Sequence, residues 1–413
     1  MDKKKVLFLQ GYDGESHGAF LRGWMKGSGY EVIGLTLPGY GWKWRMRHSG
    51  VSFAKVVREV WGGEVFGHEG DDESQVEVVR FVDGEVVKGE LGREDLEAVV
   101  GEGCVVGTSM VNMADFLACL PSEWGRVGCA QYFHENQFAY PFRAEHKHVG
   151  DVHYGLSQVI SAHAVLSRDG KVMFNSEFNR DSLVKGFGEL CSKGAKLKYG
   201  DWGFMGDEIE KAGIVVGQGT DARLIGEVTR GVRDDEGEGE VHFVWAGRWE
   251  HDKRPEMFFD ALKVLDEKGL RFKVSVLGES FGKVPGCFGE AKEWLKGRIV
   301  KWGYQDEVSD YWRGLGEGDV FVSTADHEFF GVSVVEAGAA GCELVLPRGL
   351  AYPEIWGECE HEGVDFYEDE QGLVDVLQRK CEQGSHVSEK VREIAMRYEW
   401  ENIVQQMDEL VGC

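Results

Sequence analysis

Short apolar runs that end in polar or glycine-containing turns, separated by amphipathic stretches, recur along the whole chain, and this alternation leaves few folds open. "KKVLFLQG" (4–11), "YEVIGLTLPG" (30–39), "GCVVGTSM" (103–110), "VGCAQYFH" (127–134) and "KVMFNSE" (171–177) read as strands. Amphipathic segments such as "HGAFLRGWMKGSG" (17–29) and "VNMADFLACLPSEW" (111–124) lie between them. After residue 240 the theme restarts with "VHFVWAGRW" (241–249), "RFKVSVLGES" (271–280), "RIVKWGYQ" (298–305), "DVFVSTAD" (319–326) and "CELVLPRG" (342–349). Strands that alternate with helices imply parallel sheets covered on both faces, so the fold class is α/β with two Rossmann-like sheets. A chain of 413 residues also exceeds one ordinary core.

Composition places the boundaries. Residues 1–219 form the expected N-terminal domain, with an acidic, glycine-rich and irregular excursion at 63–103. Residues 220–240, which include "GVRDDEGEGE" (231–240), read as a linker, and 241–413 as the second domain. The amphipathic stretch at 391–411 closes the chain. Lys and Arg number 46 against 72 Asp and Glu, a net charge of −26. Such acidity opposes nonspecific nucleic-acid binding, so a nucleic-acid partner must meet a local basic patch. The nine cysteines are scattered without a zinc spacing, as expected of reduced thiols. No apolar run is long enough for a membrane helix, and "MDKKKVLFLQGYDG" reads as a first strand rather than a signal segment. A cytoplasmic protein without membrane partners is expected.

"STADHEFFGVSVVEAGAAG" (323–341) carries Glu328 and Glu336 eight positions apart. One continuous helix would leave these carboxylates off a common face. The alternative is a loop at Glu328, a turn at Gly331 and a helix from near Val332, with Glu336 about one turn in. Free N–H groups at that helix start suit an anion bearing hydroxyls. "GRWEHDK" sets Arg248 and Lys253 just after a strand, close enough for a guanidinium fork and a point charge to converge on two phosphates.

Together these stretches resemble the donor site of retaining, nucleotide-sugar-dependent glycosyltransferases of the GT-B type. Four blocks are similar to one family more closely, the tRNA-queuosine mannosyltransferases. They are "LPGYGWKWRMRHSGVSFA", "YFHENQFAYPF", "GRWEHDKRPEMFF" and "HEFFGVSVVEAGAAGCELVLPRGLAYPEIW". The resemblance implies two domains facing each other across a cleft, with a C-terminal helix crossing back to the first. It implies that Glu328 accepts hydroxyls of the donor sugar, that Glu336 holds the ribose, and that the amides of Phe330, Gly331 and Val332 meet the phosphates. It also sets His134 against the donor sugar near the reacting carbon, and it names GDP-mannose as donor and queuosine-containing tRNA as acceptor. No cofactor is expected; the chain has no Asp-x-Asp, which speaks against a divalent-metal mode.

Other candidates are weaker in sequence. Gly14, Ser16 and His17 follow the first strand and, with Asn136, are read as acceptor or cleft residues. Asn175-Ser176 reads as an N-cap. In "GYGWKWRMRHSG" (39–50), taken as extended, Trp42, Trp44, Met46 and His48 fall on one side and Lys43, Arg45 and Arg47 on the other. Bases of a single-stranded loop would stack on Trp42 and Trp44 while Lys43, Arg45 and Arg47 meet phosphates. Tryptophans in the core, or cations holding the donor diphosphate, are the alternatives. A GT-B transferase for a lipid, glycan or small acceptor, and a non-catalytic sugar-nucleotide or RNA binder, stay open as rivals.

Overall fold

The computed structural model describes residues 3–66, 76–140, 152–196, 202–232, 240–279, 284–385 and 388–412. The chain divides into two compact units, residues 1–219 with 400–413, and residues 220–399. Each is a sheet flanked by helices.

Unit 1 holds β1 (Lys5–Asp13), β2 (Glu31–Pro38), β3 (Glu77–Val82), β4 (Glu85–Lys88), β5 (Cys104–Thr108), β6 (Gly128–Phe133), β7 (Lys171–Phe174) and β8 (Ile214–Val215). Their order is β4-β3-β2-β1-β5-β6-β7-β8. Pairing is parallel except along β2, β3 and β4, which run antiparallel. β1, with apolar residues at consecutive positions 6–9, pairs on both sides and is buried on both faces. The excursion at 63–103 is therefore not irregular where it is described. It forms the β3–β4 hairpin and the helix Arg93–Glu102, and Arg80 and Lys5 both pair with Asp95 to tie the insertion to β1. Polar residues on half-exposed strands had hidden this hairpin. The acidic residues 67–75 lie outside the described residues.

Unit 2 holds β9 (Val241–Ala246), β10 (Phe272–Leu277), β11 (Ile299–Gly303), β12 (Val320–Val322), β13 (Glu343–Pro347) and β14 (Val364–Tyr367), in the order β11-β10-β9-β12-β13-β14. All its pairings are parallel. The order reverses at β9, and ligands of open α/β sheets sit beyond the carboxyl ends of strands at such a switch point. The linker reading of 220–240 needs correcting. Residues Ala222–Val228 are helical and buried on one side through Ala222 and Ile225, and they belong to unit 2. Residues 233–239, the most acidic part, lie outside the described residues.

The C-terminal stretch 391–411 is two helices rather than one. Glu389–Met396 stays with unit 2, whereas Trp400–Val411 belongs to unit 1. The final helix packs through Ile403, Val404 and Met407, and Asp408 fastens it to helix Glu15–Gly27. Asp408 Oδ1 accepts from Trp24 Nε1 and Ser28 Oγ, each at 2.8 Å, and Oδ2 accepts from the Gly29 amide at 2.7 Å. Trp400 begins the helix against Gly23 and Gly219, where a Cβ at either position would stand 2.2 Å from its ring. Asp408→Ala strands a buried indole N–H, and we expect it to cost about 2 kcal/mol. A lowered chemical-denaturation midpoint with unchanged slope checks this.

The strip 39–50 is helical, not extended. Gly41 adopts the left-handed conformation (φ 65°) and opens helix Trp42–Trp61. Burial of Met46, Ser49, Gly50, Phe53, Ala54 and Val57 follows the helical period, and this longer pattern overrides the local two-residue alternation.

Candidate active site

The carboxyl ends of β9 and β12 adjoin, since Val320 pairs with Phe243 and Phe321 with Val244. Two loops leave them and are stitched together by a ladder of polar contacts. Trp245 Nε1 donates to Thr324 Oγ1 (3.1 Å), which donates to the Lys253 carbonyl (2.8 Å). The Asp326 amide donates to the Asp252 carbonyl at 2.9 Å. Lys253 ends a short 3-10 turn, Arg254 takes a left-handed conformation (φ 45°), and Pro255 starts the next helix with a φ already suited to it.

Lys253 Nζ donates to Glu328 Oε2 at 2.8 Å and to the His327 carbonyl at 3.1 Å. Nζ and Arg248 Nη2 each lie 3.9 Å from Asp252 Oδ2, so the two cations converge around one carboxylate oxygen. Arg248 also approaches Glu250 at 3.5 Å. Burial pushes the Glu328 carboxyl up, but the Lys253 charge and hydrogen bond, with His327 and Arg248, more than offset this and hold it below its ordinary value. Burial together with Lys253 takes the His327 imidazole down to about 4, so it is neutral at physiological pH.

The chain then turns at Gly331 (φ 93°) into helix Val332–Ala340. The loop, the turn and the helix start at Val332 stand where the spacing of the glutamates put them. Glycine is required here by its backbone angle and by space, because a Cβ would approach Tyr352 Cε1 to 2.9 Å. The Tyr352 ring cannot easily move aside, since its hydroxyl is hydrogen-bonded to Ser323 Oγ at 2.9 Å. The first amides of such a helix have no intrahelical acceptor, which leaves those of Val332 and Ser333 to point out of the helix start. Glu336 lies one turn in, where Tyr311 Oη (3.1 Å) and Trp312 Nε1 (3.3 Å) donate to its carboxylate. Burial pushes Glu336 up to about 7, against the pull of the Trp312 and Tyr311 hydrogen bonds. His327, Tyr311, Trp312 and Asp252 are site residues that sequence reasoning missed. A "DYW" on an amphipathic helix carries no mark that separates it from core.

In unit 1, His134 follows β6 and is buried. Its ring lies 4.3 Å from His17, 4.8 Å from Tyr132 and 4.9 Å from Phe20, centroid to centroid. Burial, with His17 beside it, holds the imidazole well below its ordinary value, so the ring is neutral at physiological pH. Gly14 caps helix Glu15–Gly27 in extended conformation, and the Ser16 carbonyl accepts from Gln218 Nε2 at 3.2 Å.

Asn136 is placed differently from expectation. Its Nδ2 is directed at Asn179 and at Ser182 Oγ (2.8 Å), and its Oδ1 accepts the amides of Phe138 and Ala139. It shapes the loop and has no capacity left for an acceptor. Of Asn175-Ser176, Ser176 Oγ accepts the Asn179 amide as a cap does, while Asn175 Nδ2 holds the His134 carbonyl at 2.8 Å. The helical form of 42–61 also splits the aromatic and cationic set. Arg45 is buried with Nε directed at the Tyr40 carbonyl, and Trp42 packs on Tyr154. Lys43, Trp44 and Arg47 remain outside, with Trp44 68% exposed and the Arg47 guanidinium 5.5 Å from its ring.

Two such helix-flanked sheets are also the fold of solved glycosyltransferases. HepE from Anabaena in complex with UDP superposes with a TM-score of 0.63 at 14% identity, covering 98% of each chain. Sucrose-phosphate synthase from Thermosynechococcus elongatus gives 0.59 at 14% identity, over 99% and 98% of the two chains. A glycosyltransferase from Rickettsia africae gives 0.60 at 13%, over 100% and 98%. The fold is GT-B. In sequence, residues 5–63 and 92–203 match the family model described as tRNA-queuosine alpha-mannosyltransferase N-terminal. The tRNA-queuosine alpha-mannosyltransferase of Drosophila melanogaster is 29% identical over 364 residues, 86% of this chain and 82% of that one. The chain is thus similar in sequence to the tRNA-queuosine alpha-mannosyltransferases, and these comparisons support a hexosyltransferase. The matched stretches skip 64–91, which holds the β3–β4 hairpin.

Among the described residues no helix is long and apolar enough to cross a membrane.

Proposed function

We propose that the chain transfers mannose from GDP-mannose to the queuosine nucleoside at the wobble position of tRNA, with retention at the anomeric carbon and without a metal ion. The observation that carries the reading is the convergence of Arg248 and Lys253 beside the free start of helix Val332–Ala340. As the glycosidic bond breaks, charge grows on the leaving diphosphate, and fixed cations and helix amides stabilise it where a metal otherwise would. Glu328 is ion-paired and accepts sugar hydroxyls rather than attacking carbon. Departure and attack then share one face, with the leaving phosphate taking the acceptor proton. Neutral His134, with His17 beside it, supplies hydrogen bonds rather than charge to the sugar or acceptor. Lys43, Trp44 and Arg47 form the basic, aromatic patch that an RNA loop would need on a chain of charge −26.

The mannosyl group and the queuosine of tRNA follow the name of the insect relative, and GDP as the donor nucleotide follows the family resemblance of the sequence. Incubation with GDP-mannose and queuosine-containing tRNA, followed by nucleoside mass analysis, tests it. A hexose increment on queuosine supports the reading. Donor hydrolysis without that increment favours a different acceptor, and binding without turnover favours a non-catalytic role. A rate that collapses with EDTA and returns with a divalent ion would contradict the metal-free mechanism.

Glu336 gives the reaction a pH signature. Ribose hydroxyls donate to a carboxylate, so donor binding favours its ionised form, whereas burial keeps much of it protonated until about pH 7. Donor affinity is therefore expected to rise with pH and level off above about 7. Glu336→Gln is expected to bind more weakly and to flatten that profile; titration with GDP across pH checks both.

A further inference from the structure

The carboxyl ends of the unit 1 strands carry buried polar side chains without a hydrogen-bond partner among the described residues. Strand order reverses at β1, which has β2 on one side and β5 on the other, the kind of switch point where open α/β sheets take ligands. Leu9 pairs with Gly107, which puts Gln10 beside Thr108, and Thr108 pairs with Tyr132. Alternation along the strands then projects Gln10, Thr108 and Tyr132 from one face. Tyr132 lies against His134 and stacks on Phe20 at 4.3 Å, so this is the face on which the candidate histidine sits.

Gln10 and Thr108 are wholly buried and Ser109 nearly so. Neither amide atom of Gln10, nor the hydroxyls of Thr108 and Ser109, finds a hydrogen-bond partner among the described residues. Buried polar groups are almost always paired, and a glutamine with both ends unpaired is costly unless something else completes it. The group that completes it is uncharged, because Gln10 and Thr108 offer no cation for a phosphate or carboxylate. A primary amide both donates and accepts, which matches neighbouring hydroxyls that do the same.

We propose that Gln10 and Thr108 form the subsite for the neutral, hydroxylated ring of the acceptor, beside His134. This rests on the transfer reaction proposed above and deepens it. The layer is buried as it stands, so a ring enters only when side chains around it turn aside.

Gln10→Leu and Thr108→Val test the subsite, each keeping side-chain bulk while removing hydrogen bonding. The acceptor KM is expected to rise about tenfold or more, the scale of a lost hydrogen bond in a site built for one, with the donor KM unchanged. The melting temperature of Gln10→Leu is expected to rise, since an unsatisfied amide has been removed, and that opposition of stability and activity is the signature of a functional group. Should Gln10→Leu fail to fold, Thr108→Val carries the test alone. An unchanged acceptor KM in both variants overturns the proposal and leaves a layer that only holds water. A parallel rise in donor KM also overturns it, because that marks a general role in folding. A parent chain that transfers no sugar to the tRNA overturns the proposed reaction itself, whereas transfer with unaltered variants overturns the subsite alone.

Discussion

Replacing Lys253 with alanine is expected to cut sugar transfer by about 100-fold or more, the scale of one lost stabiliser of developing charge. Lys253 is well buried, with its side chain 16% exposed, and its ammonium is fixed by Glu328 and the His327 carbonyl. A cation so held needs no reorganisation when the diphosphate begins to leave, which is why its charge counts for more than that of a surface lysine. The substitution acts twice, since it also leaves the partly buried Glu328 without its ion pair, and the Glu328 carboxyl should rise from its depressed value. Lys253→Arg keeps the charge but not the point geometry, and an intermediate rate is expected. Single-turnover measurements at saturating donor separate loss of chemistry from loss of binding. A near-normal rate in Lys253→Ala would remove this residue from the mechanism.

Gly331→Val is expected to be as damaging by a different route. A β-branched residue is poorly tolerated at φ 93°, and the new Cβ meets the Tyr352 ring, which its bond to Ser323 keeps in place. Relief comes most readily by shifting the helix start, which withdraws the amides of Val332 and Ser333 from the position a phosphate would take. We expect donor binding to weaken by about 100-fold and stability to fall by about 1–3 kcal/mol, the range for a strained backbone at a functional turn. Calorimetric titration with GDP and a thermal melt report the two effects separately. A variant that melts early but binds GDP normally would show that the turn matters for folding alone.

The sequence carried the two-sheet plan because the central strands of both sheets are parallel and have unbroken apolar runs. It carried Gly331 and the helix start as well, because glycine, a small-residue helix and two spaced glutamates constrain one another. What it did not carry was whatever depends on tertiary packing. The period-two pattern at 42–47 was overruled by burial at Met46, Gly50, Phe53 and Val57. The β3–β4 hairpin, half exposed and acidic, lacks the apolar alternation that announces a strand. Asn136 looked available because nothing local shows that Asn179, Ser182 and two backbone amides consume it. Tyr311 and Trp312 became legible as partners of Glu336 only when two distant helices were brought together. The unsatisfied Gln10 is invisible in sequence for the same reason, since satisfaction is a property of neighbours.

A crystal of the protein with GDP-mannose measures the decisive quantity, the position of the diphosphate. Density within hydrogen-bonding reach of Lys253, Arg248 and the Val332 amide, with the ribose on Glu336, is the expected result. A nucleotide seated elsewhere, with Lys253 still closed on Glu328, would contradict the account.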